Sequence, residues 1–260
     1  MRKQVQIGEL KGTLDCPLGD LLRGGGAARA KTGVGEEGGE PRRRVAVCVH
    51  GLFSSHTAGF WPEMARFLAL DIHVLRMDLA GCGGSGGSKM LGGYERDVRD
   101  IEAMMAYCEE EEKMDVVALI GHSKGGNEVL MYAAGMCRVP LVVAIAPRYD
   151  MKAVPAYLED MVAQGQVPQE ELDERTAIEM DAVVARIKHE TRVLLVHGTA
   201  DEIIPFADAE AMAVRFRETH HPSFELLPVD GANHFFNASQ THVHTIITAI
   251  RQALGLKTGY

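Results

Sequence analysis

The sequence predicts a doubly wound α/β fold: a mostly parallel sheet with an N-terminal antiparallel hairpin and a small helical insertion. Three observations predict it. From residue 45, apolar runs rich in Val, Leu and Ile alternate with helix-compatible segments, the pattern of parallel strands covered on both faces. One run, Val116 to Ile120, leads through Gly121-His122-Ser123-Lys124-Gly125 into a second helical pattern. A chain of 260 residues with 46% hydrophobic and 24% charged residues can bury one large core without disulfides, so 1–260 reads as a single domain.

Val5 to Leu10 and Lys11 to Cys16 read as the two strands of the hairpin. Residues 24–40, in which seven of seventeen are glycine, followed by Pro41-Arg42-Arg43-Arg44, read as a long mobile loop. Its near-match to a phosphate loop, Gly25 with Ala30-Lys31-Thr32, lacks the second glycine and a leading strand. Strand-like runs follow at 45–50, 73–78, 115–121, 141–147, 192–198 and 223–229. Helix-compatible segments lie near 60–70, 94–110, 124–137, 206–218 and 238–254. Residues 148–190 are too long for a simple crossover; helical periods near 155–164 and 170–189 predict a cap over the strand ends.

Composition excludes several classes. A net charge of −9 and a pI of about 5.7 argue against a nucleic-acid partner. Five cysteines, Cys16, Cys48, Cys82, Cys108 and Cys137, show no metal spacing and fit a reducing, cytoplasmic setting. No signal peptide is evident, and no run approaches the 18 or so apolar residues of a membrane span. The Glu109-Glu110-Glu111-Glu112 run reads as the solvated end of a helix, and the methionines 104, 105, 131 and 136 as core.

Chemistry concentrates on Ser123. A serine between two glycines at a strand-to-helix turn is a nucleophile elbow, the tight bend leaving the hydroxyl at the strand end. A second match, Gly83-Gly84-Ser85-Gly86-Gly87, has no helix behind it. A serine hydroxyl needs a base, and the base an orienting carboxylate. His234 follows the strand ending at Val229 and emerges at the edge where Ser123 sits. His220 and His221 enter that strand at its other end, and His242 and His244 fall in the last helix. Asp201, after the strand ending at Gly198, is the first choice of acid; Asp150 competes from the end of the 141–147 strand. Asp230 reads as a turn residue. The oxyanion would be held by the backbone N–H of Lys124 and of Leu52, with Phe53 the fallback one residue on. His50 and His122 read as structural, the Lys124 side chain as solvated, and Arg76 and Asp78 as pins for the glycine loop at 81–87. Phe60 and Trp61 line a pocket mouth or anchor their helix.

Taken in order, His50-Gly51-Leu52, Asp78-Leu79-Ala80-Gly81-Cys82-Gly83-Gly84-Ser85, Gly121-His122-Ser123-Lys124-Gly125-Gly126-Asn127, His197-Gly198-Thr199-Ala200-Asp201 and Gly231-Ala232-Asn233-His234 resemble the α/β-hydrolase superfamily. The likeness is to cinnamoyl and feruloyl esterase-like and serine aminopeptidase-like hydrolases. It implies catalytic Ser123, Asp201 and His234, oxyanion donors Leu52 and Lys124, and neither metal nor cofactor. The expected reaction is hydrolysis of a small-molecule carboxylic ester through an acyl-enzyme. A thioesterase or peptidase on the same residues, and a ligand-binding receptor on the same fold, are the alternatives. Oligomeric state is not legible.

Overall fold

The structure, a computed structural model, describes residues 1–17, 42–135 and 139–258. The predicted loop at 24–40, Met136 and Cys137 lie outside the described residues. Eight strands form one sheet in the order β1-β2-β4-β3-β5-β6-β7-β8. β1 (Arg2–Ile7) and β2 (Leu10–Asp15) pair antiparallel, as do β2 and β4 (His73–Asp78). The remainder is parallel: β3 (Arg43–Val49) lies between β4 and β5 (Met114–His122), followed by β6 (Leu141–Ile145), β7 (Arg192–Gly198) and β8 (Phe224–Val229).

The hairpin register corrects the predicted one. Ile7 faces Leu10, so the turn falls at Gly8-Glu9 rather than between residues 10 and 11. Gly8 has φ +55°, a conformation a glycine adopts without a Cβ clash, which sets a two-residue turn there.

The parallel strands bury both faces, and their residues alternate between two cores. Val45, Val47, Val49, Leu119, Val142 and Leu195 point to one side. There they meet α2 (Tyr94–Ala106), α3 (Lys124–Gly135), α6 (Met180–Arg186) and α7 (Phe206–Glu218). Ala46, Cys48, Val74, Ile120, Val143 and Val196 point to the other, against α1 (Trp61–Leu68) and α8 (Gln240–Ala253).

Two predicted helices end differently. The 94–110 segment stops as an α-helix at Ala106 and adds a π-turn over Tyr107–Glu111. Glu112 is not solvated: it accepts hydrogen bonds from Lys3 and Tyr107, which ties the acidic run to the first strand. The 170–189 segment breaks into α5 (Gln169–Thr176) and α6, after α4 (Ala156–Ala163). Leu158, Val167 and Leu172 form their own small core with Leu91, whereas Met180, Val183 and Val184 join the main one. Serving two cores in different places requires the bend between the helices.

Arg76 corrects another expectation. Asp78 does pin the glycine loop, accepting from Gly84 N at 2.8 Å and also from His56 N at 2.7 Å. Arg76 instead grips Asp15 of β2 through Nε and Nη2 at 3.0 and 2.9 Å, and the His56 carbonyl at 2.7 Å. Both side chains of the Asp15–Arg76 pair are buried. Removing one partner of a buried ion pair strands the other charge, so Asp15→Ala should lower unfolding stability by about 3–5 kcal/mol. Urea denaturation followed by circular dichroism measures this, and a loss within error of zero would contradict the bracing role.

Candidate active site

β5 ends at His122 and α3 begins at Lys124, leaving Ser123 alone at the bend with φ +57°. A non-glycine residue held there costs on the order of 1–3 kcal/mol and persists only when its surroundings fix it. They do: Ser123 N donates to Ile145 O of β6 at 2.8 Å, and Asn127 N donates to Ser123 O at 3.2 Å. The bend also needs its glycines. A Cβ on Gly121 would sit 2.1 Å from Gly125 O, and one on Gly125 would sit 2.5 Å from His50 O.

The structure brings Ser123, His234 and Asp201 together. His234 Nε2 lies 3.0 Å from Ser123 Oγ, and its Nδ1 lies 2.7 Å from Asp201 Oδ2. Asp201 and His234 are both buried. Burial alone would raise the Asp201 pKa. Hydrogen bonds from His197 and His234, and from the Ile204 amide, outweigh it and hold the carboxyl well below the usual carboxylate range. Its second oxygen accepts from Ile203 N at 2.9 Å and Ile204 N at 2.8 Å. An ionised carboxylate only accepts, so His234 Nδ1 carries its hydrogen, which leaves the lone pair of Nε2 toward the serine hydroxyl.

The competitors are placed elsewhere. Asp150 is exposed and accepts from the amides of Lys152 and Ala153 within its own turn. Ser85 is tied to the Lys11 amide and the Asp78 carbonyl. His221 meets the Lys188 carbonyl and His244 meets Glu63. Asp230 accepts from Thr199 at the turn after β8.

The turn after β3 lies against the serine. A Cβ on Gly51 would be 3.1 Å from Ser123 Cβ. The turn closes with Ser54 N donating to Gly51 O at 3.2 Å, with Phe53 at φ +54°. Among the described residues the amides of Leu52, of the fallback Phe53 and of Lys124 are all without an acceptor. His50 holds the turn from behind, Nδ1 donating to Gly51 O at 2.7 Å while Nε2 accepts from Leu79 N at 3.1 Å. His122 Nε2 donates to the His234 carbonyl at 2.9 Å. Burial, with repulsion from His234, lowers the His122 pKa to about 3, so this ring stays neutral. Both histidines are structural, as expected.

Sequence reasoning missed several residues. His197 Nε2 lies 3.4 Å from Asp201 Oδ2 and donates to Ile204 O at 2.8 Å, adding a second ring behind the acid. The Lys124 side chain is buried, not solvated: it pairs with Asp97, lies 3.0 Å from Glu128 Oε1 and stands 4.6 Å over the Tyr94 ring. Burial opposes its charge, but Glu128 and Asp97 hold its pKa above the usual lysine value. The Glu128 contact is close without the alignment of a hydrogen bond, and both carboxyl oxygens lack a donor. Burial therefore lifts Glu128 to about 8, with Lys124 pulling the other way and Asp97 adding to the rise. One signal was legible: Asp97 sits on the apolar face Tyr94, Ile101, Met104 and Met105 of its helix.

Ser123 and His234 open into a cavity of about 470 Å³. Phe60 and Trp61, left undecided by the sequence, both line it, with Leu52, Leu91, Leu158 and Phe235. No group of three or more His, Cys, Asp or Glu suited to a metal occurs among the described residues. None of the described helices is long and apolar enough to cross a membrane.

Residues 67–251 match the prolyl oligopeptidase family. An uncharacterized protein, YfhR, from Salmonella typhi is 28% identical over 202 residues. The match takes in 72% of this chain but only 64% of that relative's length, and the same holds for its Salmonella typhimurium counterpart. Among solved structures, ferulic acid-bound Est1E from Butyrivibrio proteoclasticus aligns with TM-score 0.71 and 16% identity, over 97% of each chain. The Pyrococcus furiosus esterase Pf2001 aligns with TM-score 0.72 and 18% identity, over 100% of this chain and 92% of its own. At such identities the likeness establishes the α/β-hydrolase fold.

The Glu128 environment predicts a pH dependence of stability. The folded pKa of about 8 exceeds the ordinary 4.5, so between those values the folded state holds a proton that the unfolded state has lost. Unfolding then releases a proton, and stability falls as pH rises through that window. Glu128→Gln should flatten this decline in thermal melts between pH 5 and 9, on the order of one proton's worth of slope. An unchanged slope would place the proton elsewhere.

Proposed function

The chain belongs to the prolyl oligopeptidase family, and from that premise we propose that it is a serine hydrolase that cleaves a small-molecule carboxylic ester through an acyl-enzyme. The observation that carries this reading is the unbroken line from Asp201 through His234 to Ser123, at 2.7 and 3.0 Å.

Ser123 Oγ attacks the carbonyl carbon as its proton passes to His234 Nε2. The carbonyl oxygen becomes an oxyanion, stabilised by the Leu52 and Lys124 amides; one such donor is worth about 2.7–4 kcal/mol. Collapse breaks the bond to the leaving oxygen, which takes the proton from His234 and departs as an alcohol. Water then attacks the acyl group while His234 accepts its proton, and that proton returns to Ser123 as the acid is released. Asp201 stays ionised and steadies the imidazolium. His197 and the Ile203 and Ile204 amides keep it so, and His122 fixes the backbone of His234.

Ester cleavage is favoured by the apolar cavity walls at Leu52, Phe60, Trp61 and Phe235, and by the esterase activity named for proteins of this fold. A peptide bond is the second reading, favoured by the family itself; the same residues would protonate a leaving amine. No step calls for a metal or cofactor, and the acidic chain fits a small molecule better than a nucleic acid. Four described cysteines, all free, suit a reducing, cytoplasmic setting. Residues 148–190 would act as the cap through Leu158 and Tyr157, which reach the cavity.

Ser123→Ala should abolish fluorophosphonate labelling and reduce p-nitrophenyl ester turnover to background, with the circular dichroism spectrum intact. Asp201→Asn should lower kcat by about 10⁴, the loss seen when a serine protease's acid is neutralised, whereas Asp150→Asn should leave kcat within about threefold on surface-substitution grounds. Labelling that survives Ser123→Ala, or equal losses from the two aspartate variants, would overturn these roles.

A further inference from the structure

The cavity beside Ser123 has an unusual charge inventory. The chain has 36 Asp and Glu residues and a net charge of −9. Yet none of the described residues lining the cavity is acidic, while Lys124, Arg148 and Arg175 all line it. Lys124 is answered by Asp97. The two arginines are not answered. Arg148 and Arg175 are 8% and 3% exposed, and no carboxylate of a described residue lies within ion-pair distance of either. A buried charge without a counter-charge is expensive and is ordinarily paired.

The protein holds both guanidiniums by their edges. Arg148 Nη2 donates to Ile203 O at 2.7 Å. Its backbone is clamped by Asn127, one turn beyond the nucleophile: Arg148 N donates to Asn127 Oδ1 at 3.0 Å, and Asn127 Nδ2 donates to Arg148 O at 2.6 Å. Arg175 reaches down from α5, donating to Met151 O at 2.6 Å and Ala153 O at 3.1 Å. Only neutral carbonyls receive these bonds, so each five-donor fork has N–H groups to spare. Burial lowers the Arg175 pKa; the Tyr94 hydroxyl counters it, and Arg148 repels it further. The two cations thus share one neighbourhood.

We propose that Arg148 and Arg175 form a carboxylate-binding subsite, so that the preferred substrate carries an anionic group beside its scissile ester. This rests on the hydrolase reading above. Guanidinium forks match a carboxylate in two-point geometry, and a substrate carboxylate would supply the counter-charge the walls lack. Two sources share this chemistry: a carboxylate on the acyl group, as in a dicarboxylic half-ester, or one on the leaving group. Neutral esters would enter the same cavity and leave the charges unanswered.

The experiment compares kcat/KM within two matched pairs. p-Nitrophenyl hydrogen glutarate against p-nitrophenyl valerate tests the acyl side. 4-Acetoxybenzoate against its methyl ester tests the leaving group. One pair should show a preference of about tenfold or more for its anionic member, the worth of one or two charge-assisted hydrogen bonds. In Arg148→Met that ratio should collapse toward one, mainly through KM. Arg148→Lys should restore part of it. Arg175→Lys, which retains a donor for the Met151 carbonyl, guards against a loosened α5 being read as lost recognition. Ratios near one in both pairs, or a preference that survives Arg148→Met, would overturn the subsite. If fluorophosphonates fail to label the protein and no ester is turned over, the hydrolase reading falls by itself. Glutarate binding to Ser123→Ala by calorimetry then decides the subsite: binding lost in the Arg148→Met background supports it, and no binding in either overturns it.

Discussion

The site depends on one backbone constraint, the left-handed turn at Ser123. Everything around it is arranged so that a residue with a Cβ can be held at φ +57°. Gly121 and Gly125 close on each other so tightly that a methyl group on either would meet backbone. The contact of Gly125 with the His50 carbonyl then fixes the distance from α3 to the turn after β3. The elbow therefore positions two things at once: the hydroxyl, and the turn after β3 that lies against it. A scaffold that relaxed the turn would lose both together.

Much of this was legible because it rests on residue types with few alternative uses. Paired glycines around a serine, an apolar run before and a helical period after leave little else for that segment to be. Alternation of apolar runs and helical patterns placed the parallel strands to within one or two residues, since burial on both faces admits only apolar side chains there. The hairpin was harder. The apolar positions shift from odd (Val5, Ile7) to even (Leu10, Leu14) across Gly8-Glu9, but with only two or three apolar residues on each side this mark is faint, and a turn placed a few positions away gives a similar register. The split between α5 and α6 was invisible for another reason: it arises from two separate cores, a tertiary fact that leaves no mark in the local period.

The charged interior was the least legible part. Lys124 follows a nucleophile and opens a helix, and either fact suggests a solvated side chain. Its burial follows from Asp97 on α2 and Glu128 one turn further along α3, residues 27 and 4 positions away. His197 gave a weaker sign still, one polar residue in an apolar strand. Side chains that act by meeting partners across the fold cannot be found from spacing, because the partner's position is set by packing.

Three buried charge arrangements in this chain show how such groups are tolerated. Arg76 and Asp15 cancel, joined by two hydrogen bonds. Lys124 is met by Asp97, which also accepts from Arg96 through two hydrogen bonds, and Glu128 lies against the lysine, so these side chains answer one another beneath the elbow. Asp201 is a third case, an anion held by donors on both oxygens and ready to oppose a positive ring when His234 takes a proton. Against these closed arrangements, Arg148 and Arg175 stand apart, because their unmet charge lines the cavity beside Ser123. A protein that neutralises its other buried charges internally has, by that contrast, left these two to be neutralised from outside. The same contrast explains why the cavity need not be polar throughout. Its apolar walls, Phe60, Trp61 and Leu158 among them, lower the local dielectric and so strengthen a guanidinium–carboxylate contact.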